Sequence, residues 1–411
     1  MNTVNIFDAP APAPVRVSTG GYVMRGYQSE STTKAVDYLK ARHKKNGLLV
    51  LPGGAGKSIV IANIAKEMNA PGLIFQPSKE LLAQNVEKYR SYGYKCGIYS
   101  ASAGVKRFDD VTFATIGSVI RKKEKLDRFQ YVLVDEAHLV GQEGMYADLI
   151  EHLGVKVIGL TATPYRLGRY TDYKTGMTQA ILKFLTRTSP RIFTDIVHHV
   201  QNGYLFENGY LCPLNYYEVN AYNRAALQAN STGADYTDES VRAEYERSQF
   251  YTKLIQVVNR TFAIGRKNCL VFTRFTKEAE LVARNIQGCA VVTAETKPAE
   301  RDRIVQAFKA GRIRCLANVG IFTTGFDHPA LDTIVVARSM RSMALWSQMV
   351  YRVVRTAPGK TNGMVVDMGG NLEQFGKVED MVLSEEGGWH IESHGRVLTG
   401  VPFGDKFRAK R

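Results

Sequence analysis

Short apolar runs alternate with helix-period stretches from about Tyr22 onward. Leu48–Leu51, Gly72–Gln76, Val111–Ala114, Tyr131–Val134 and Lys156–Leu160 read as strands, each too short for a helix. Helices fill the intervals, as in Ser78–Tyr92, where Leu81, Leu82 and Val86 recur at helical spacing. The rhythm restarts at Cys269–Phe272, Ala290–Val292, Cys315–Asn318, Thr333–Val336 and Gly363–Asp367, with helices expected over Lys277–Ile286, Glu300–Lys309 and Met343–Arg355. Strand–helix alternation of this kind predicts an α/β protein with two tandem parallel sheets, each covered on both faces.

The pattern divides the chain as follows. Residues 1–20 carry an Ala-Pro repeat and few large apolar groups, so a disordered lead is expected. Residues 21–215 form a first domain and 267–370 a second. Between them 216–266 reads as a helical linker, with one helix over Glu239–Ile264, and 371–411 is a basic tail ending Asp405-Lys-Phe-Arg-Ala-Lys-Arg411. A 45% hydrophobic and 23% charged composition is ordinary for a globular protein, and no apolar run is long enough to cross a bilayer. The 5 cysteines are scattered without a metal-binding spacing and read as buried thiols, so no metal beyond magnesium is implied. Net charge changes the picture more. Lys and Arg number 54 against 39 Asp and Glu, an excess of +15 that points to nucleic acid as a polyanionic partner.

The chemistry is carried first by Pro52-Gly53-Gly54-Ala55-Gly56-Lys57-Ser58, a shortened P-loop in which Leu51 stands where the full pattern has its first glycine. Backbone N–H groups of such a turn wrap a triphosphate, Lys57 reaches the β/γ-phosphates and Ser58 ligates magnesium. Further on, Asp135-Glu136-Ala137-His138 ends an apolar strand. Asp135 would hold the same metal, and Glu136 would orient or deprotonate the attacking water. Together the two motifs imply ATP hydrolysis. Each unit has a sheet but only the first has a P-loop, which suggests ATP bound in a cleft between them.

With these motifs the chain resembles superfamily 2 helicases, specifically the DEAH-containing, RadD-like and UvsW-like branch that includes many phage enzymes. The resemblance covers roughly residues 22–368 and implies two RecA-like domains. Arg25-Gly-Tyr-Gln28 looks like the Q-motif, with Gln28 reading the adenine edge. Gln76-Pro77-Ser78-Lys79 through Gln84 looks like motif Ia, and Thr115, Gly117 and Ser118 like motif Ib, both holding nucleic-acid phosphates. Thr161 and Thr163 look like motif III, which couples the ATP and nucleic-acid sides. Val271-Phe272-Thr273 looks like motif IV, and Thr323-Thr324-Gly325-Phe326-Asp327 like motif V; Thr273, the adjoining Arg274, Thr323 and Thr324 would contact nucleic acid, with Gly325 and Asp327 facing ATP. Gln348 through Arg352 and Arg355 looks like motif VI. Its arginines, three residues apart on one helical face, would reach the γ-phosphate as arginine fingers, with Gln348 in a coupling role. The family's usual glycine before the first arginine is Tyr351 here.

The resemblance implies a helicase using ATP and Mg2+ on forked, branched or single-stranded DNA in replication, recombination or repair, alongside single-strand-binding or replication proteins. It places the protein in the cytoplasm of a bacterial or phage-infected cell, away from membranes. Two other readings share the same core: an RNA helicase, and a duplex-DNA translocase that does not separate strands. No nuclease triad is recognisable.

Overall fold

A computed structural model describes residues 22–141, 143–171, 174, 176, 178–189, 191–323 and 325–400. The lead over 1–20, the basic end over 405–411 and Thr324 lie outside the described residues. The chain divides into two compact units: residues up to Arg166 with Lys183–Leu205 and Leu383–His390 form unit 1, and the remainder forms unit 2.

Unit 1 is built on an eight-stranded sheet of β1 (Gly47–Val50), β2 (Gly72–Phe75), β3 (Gly97–Ser100), β4 (Val105–Arg107), β5 (Val111–Ala114), β6 (Tyr131–Asp135), β7 (Lys156–Thr161) and β10 (Asp195–His199), in the order β10-β1-β7-β6-β2-β5-β3-β4. Neighbours run parallel except β4, which pairs antiparallel with β3. Every residue of β1, β2, β5 and β6 is buried, as continuous apolar runs require when helices cover both faces. The helices are α1 (Gly26–Lys40), α2 (Lys57–Met68), α3 (Lys79–Ser91), α4 (Ile116–Val119) and α5 (Met145–Leu153). The short α6 (Asn202–Glu207) carries the chain from unit 1 to unit 2, and β8 (Tyr165–Thr171) pairs with β9 (Thr178–Phe184) as a separate ribbon. Strands β3, β4 and β10 are not evident from patterning. The first two are short and mixed in polarity, and β10 is half-buried along its whole length, so none shows a continuous apolar run.

Unit 2 carries six parallel strands, β11 (Leu214–Glu218), β12 (Cys269–Thr273), β13 (Cys289–Val292), β14 (Cys315–Asn318), β15 (Thr333–Ala337) and β16 (Gly363–Asp367), ordered β11-β16-β15-β12-β14-β13. Its helices are α7 (Asp238–Arg247), α8 (Phe250–Ala263), α9 (Thr276–Asn285), α10 (Pro298–Lys309), α11 (Met343–Val350) and α12 (Asn371–Phe375).

The stretch expected to be a linker, 216–266, is part of this unit. It supplies edge strand β11 and two helices whose Val241, Tyr245, Phe250, Leu254 and Val258 are buried in one core with Val271 and Val335. Tyr245 stacks on Phe250 at 3.9 Å between ring centroids. The single helix expected over 239–264 is broken at Gln249, whose φ of 55° caps the start of α8. The tail expected from 371 is also folded at first, through α12 and an antiparallel pairing of Glu392 and Ser393 with Val397 and Arg396.

Candidate nucleotide-binding site

The P-loop leaves the end of β1 and turns through Gly54 and Gly56, whose φ values of 85° and 82° lie in the left-handed region that favours glycine. Leu51 still bonds to the sheet through its N–H to Thr161 O at 2.9 Å, so the turn starts later than in the full pattern. The turn is clamped from α1. The carbonyl of buried Ala55 accepts from Tyr27 Oη at 2.9 Å and from Gln28 Nε2 at 2.8 Å. A Cβ on Gly56 would lie 2.5 Å from Gln28 Nε2, so glycine is needed there for close approach as well. Gln28 Oε1 accepts from Arg25 N at 2.9 Å, and Arg25 Nη1 donates to Tyr27 Oη at 3.3 Å. The amide expected to read adenine therefore holds the P-loop in this structure, with Gly53 and Ala55 inside the clamped turn.

Lys57 opens α2 and Ser58 follows it; Asp135 ends β6. Both elements meet the carboxyl edge of the sheet, where open α/β folds bind ligands. Lys57 Nζ lies 3.6 Å from Glu136 Oε1, and His138 Nδ1 lies 3.4 Å from Glu136 Oε2. Glu136 adopts φ 52°, a left-handed conformation that costs a non-glycine residue about 1 kcal/mol and commonly marks functional turns. His138 Nδ1 is also 3.1 Å from Thr161 Oγ1, which accepts from Thr163 N at 3.0 Å. Thr161 and Thr163 are thereby joined to the Glu136 carboxylate through one imidazole. Burial holds that imidazole below its ordinary pKa, so it is neutral near pH 7.

Asp135 is 3% exposed, and its oxygens accept from Glu136 N and from Asn85 Nδ2, both at 3.0 Å. Burial first, then the neighbouring Glu136, pushes its carboxyl up to about 6, against the pull of Lys57. A divalent cation relieves that kind of site. The nearby Asn85 Oδ1, with no hydrogen-bond partner, is the buried polar atom such a site leaves open. Ser58 and Asp135 fit the hard oxygen donors of magnesium. Asn85, one residue beyond Gln84 on α3, is missed by motif reading. Its Asp135 partner is distant in sequence, so only the pairing of the folded elements exposes it.

Of the residues expected on nucleic acid in unit 1, Ser78 caps α3 by accepting from Leu81 N at 3.3 Å, with Pro77 before it and exposed Lys79 after it. Gln84 lies on the same helix, whereas Thr115, Gly117 and Ser118 follow β5 at the carboxyl edge.

Unit 2 treats its motif residues differently. Thr273 is fully buried, and its hydroxyl bonds within the unit to the carbonyls of Phe275 and Asn318. Arg274 is spent on Asp238 Oδ1, Asp235 Oδ2 and Tyr236 O at 2.6–3.2 Å, so it is an anchor for the 235–238 segment rather than an open cation. Thr323 is nearly buried, with its hydroxyl 3.4 Å from Gly320 O. Gly325 has φ 72°, and Asp327 lies 3.8 Å from Arg355 Nη2.

The helix expected over Met343–Arg355 stops at Val350. Residues 351–353 tighten into a turn with i to i−3 bonding at Arg352 and Val353, so Arg352 and Arg355 do not share a helical face. Arg352 donates to Phe326 O at 2.6 Å and Gln348 O at 3.2 Å, tying motif VI to motif V. Arg355 is 39% exposed. Lys360 donates to Val353 O and Arg355 O, each at 2.7 Å, and to Pro329 O at 3.3 Å. Burial pushes its ammonium down to about 8. Tyr351 is buried where the family has glycine.

Residues 21–166 match the family model for the Type III restriction enzyme res subunit, and 250–357 match the helicase conserved C-terminal domain. The chain belongs to the superfamily 2 helicases, ATP-hydrolysing enzymes that act on nucleic acid. It is 25% identical to a 51.5 kDa protein of a Lactococcus phage, aligning over 84% of this chain and 71% of that one. It is 24% identical to the putative ATP-dependent helicase IRC3 of Saccharomyces cerevisiae, over 84% of this chain but only 51% of the yeast protein. With the DNA 3'-5' translocase XPB2 of Sulfurisphaera tokodaii it shares 25% identity over 81% of this chain and 78% of that one. Two solved structures share the fold. The Type ISP restriction-modification enzyme LlaBIII, bound to DNA, has a TM-score of 0.60 at 18% identity, covering 85% of this chain and 28% of that one. An HsdR-subunit fragment from Vibrio vulnificus YJ016 has a TM-score of 0.61 at 19% identity, covering 88% and 67%. Among the described residues no helix is long and apolar enough to cross a membrane.

Proposed function

We propose that this chain is an ATP- and Mg2+-dependent motor of the DEAH-containing, RadD-like and UvsW-like branch, acting on forked, branched or single-stranded DNA in replication, recombination or repair. The observation that carries this reading is the pairing of Lys57 Nζ with Glu136 Oε1 at 3.6 Å beside buried Asp135. It puts the P-loop cation and the candidate base in one site. Lys57 binds the β/γ-phosphates, Ser58 and Asp135 would hold magnesium, and Glu136 takes a proton from the attacking water. The metal, when bound, neutralises charge on the phosphates. His138 passes the state of Glu136 to Thr161 and Thr163 of motif III. Arg352, Arg355, Gly325 and Asp327 of unit 2 act on the bound ATP, and the cycle of binding and release drives stepping along the strand.

The XPB2 relative is named a DNA translocase, which favours DNA and keeps a translocase without strand separation as the second reading. The deciding experiment is ATPase rate with single-stranded DNA, duplex, a four-way junction or RNA, with Glu136→Gln as the inactive control. Strong stimulation by forked or branched DNA, abolished in the variant to about 10²- to 10⁴-fold lower rates, is the expected result. Stimulation by duplex without unwinding selects the translocase. Stimulation by RNA alone overturns the DNA assignment and leaves only the motor.

A further inference from the structure

The carboxyl edge of the unit 1 sheet carries a hydroxyl network that joins Thr115 and Ser118 to Ser100 and Ser102, outside the motif residues. Thr115 Oγ1 donates to Ser100 Oγ at 3.1 Å and lies 2.9 Å from Ser118 Oγ. Ser100 Oγ is 3.0 Å from Ser102 Oγ, and Ser118 Oγ accepts from Ala101 N at 2.9 Å. A hydroxyl has one proton and two acceptor positions. With the Thr115 proton given to Ser100, Ser118 supplies the proton shared with Thr115, and the turn between β3 and β4 is locked to α4.

The chain continues from α4 into the 3-10 segment Ile120–Lys125, where Arg121, Lys122 and Lys125 are exposed. Among the described residues none of these three side chains makes an ion pair, hydrogen bond or ring contact. The segment is fastened beneath by Leu126 and Phe129, both buried in the unit 1 core. Glu124 is the one acidic residue of the segment, against Arg121, Lys122, Lys123 and Lys125, so an excess of positive charge sits on a platform anchored at both ends. A different basic stretch shows the contrast. Arg42, Lys44 and Lys45 precede β1 at the opposite, amino edge of the sheet, and there Lys45 pairs with Asp195 at 3.7 Å.

We propose that Arg121, Lys122 and Lys125, on a segment that the Thr115–Ser118 hydroxyl network holds in place, form a rail for the nucleic-acid phosphate backbone. The rail belongs wholly to unit 1, and among the described residues it shares no hydrogen bond with the P-loop. It extends the grip past motif Ib, is blind to sequence, and rests on the nucleic-acid reading above.

The test is binding of a labelled oligothymidine and of a labelled duplex to the full chain, without ATP, across a salt series. Three variants are compared with wild type: the triple Arg121→Gln/Lys122→Gln/Lys125→Gln, the single Lys125→Gln, and Arg42→Gln/Lys44→Gln/Lys66→Gln. The last removes the same charge from exposed positions at the amino edge. Each lost phosphate contact lowers the slope of log K against log salt by about 0.7 to 0.9. The triple rail variant should therefore lose about 2 to 3 from the slope and bind about 10- to 100-fold more weakly at moderate salt, and Lys125→Gln should lose about 1. The amino-edge variant should keep nearly the wild-type slope. Thermal melting checks that each variant is folded. Equal losses in both triple variants would reduce the effect to net charge and overturn the rail. Unchanged slopes in the rail variants would overturn it too, leaving these cations to an acidic protein surface. If wild type binds neither probe, the nucleic-acid reading fails along with the rail.

Discussion

The two sheets use their motif residues in opposite ways. In unit 1 the ionisable groups face one another at a strand edge: Lys57 with Glu136, Glu136 with His138, and Asp135 with Asn85. In unit 2 the donors are absorbed by main-chain carbonyls and structural carboxylates: Arg352 by Phe326 and Gln348, Lys360 by Val353, Arg355 and Pro329, Arg274 by the 235–238 segment. Unit 1 is organised as a site with strained backbone and a destabilised buried carboxylate. Unit 2 is organised to hold a turn that presents Arg355. Shared architecture thus carries two different jobs, and the difference lies in where each donor's hydrogen bonds go.

The largest effect that would break this comparison is at Lys57. Lys57→Ala should lower ATP turnover by about 10³-fold or more while oligonucleotide binding persists. Loss of both together would mean that the lysine supports the unit 1 fold rather than the chemistry.

A smaller effect is expected at Lys360, which touches no reacting group in this scheme and acts by shaping the turn around Arg355. Lys360→Met should lower kcat about tenfold with little change in the KM for ATP, because the arginine is misplaced only where transition-state charge develops. Its pKa is lowered to about 8, so the ammonium is intact below that pH and loses a proton as pH rises through it. One of the three carbonyls then loses its donor. Wild-type ATPase should accordingly decline above about pH 8, and the methionine variant should lack that limb. An identical alkaline limb in the variant would remove Lys360 from the mechanism.

Arg274 should give the smallest functional change. Arg274→Ala is expected to cost about 1 to 2 kcal/mol of stability, since the guanidinium is buried while Asp238 is exposed enough to be resolvated. Denaturant unfolding reads that loss, and the salt slope of nucleic-acid binding should not move. A slope smaller by about one would return Arg274 to the nucleic-acid surface.

The parts of the unit 1 site that motif reading singles out are local. A glycine turn before a helix and an acidic pair after an apolar strand are short-range signals, and the fold brings both to the carboxyl edge of adjacent parallel strands. Longer-range features were less legible. Gln28 carries a family pattern, yet its amide bonds Ala55 of the P-loop, a pairing no local spacing reveals. The helix of motif VI reads as continuous to Arg355 because its residues suit a helix. It ends at Val350 where Arg352 reaches back to carbonyls of motif V and of its own last turn. The stretch over 216–266 reads as a linker because α7 is strongly polar, although its few apolar residues are those that enter the core.

By itself, the sequence determined two α/β units, the P-loop and the acidic strand end, because strand period, glycine φ and helix starts are set by neighbouring residues. Tertiary structure alone decided what each polar group is bonded to. It aligned Cys269, Cys289 and Cys315 in register on three adjacent strands, joined Asn85 to Asp135, and closed Lys360 over the turn before it. Those pairings depend on strand order and on which donors burial leaves without water. Both are properties of the packed chain, because the cost of an unmet buried polar group arises only once the sheets have closed.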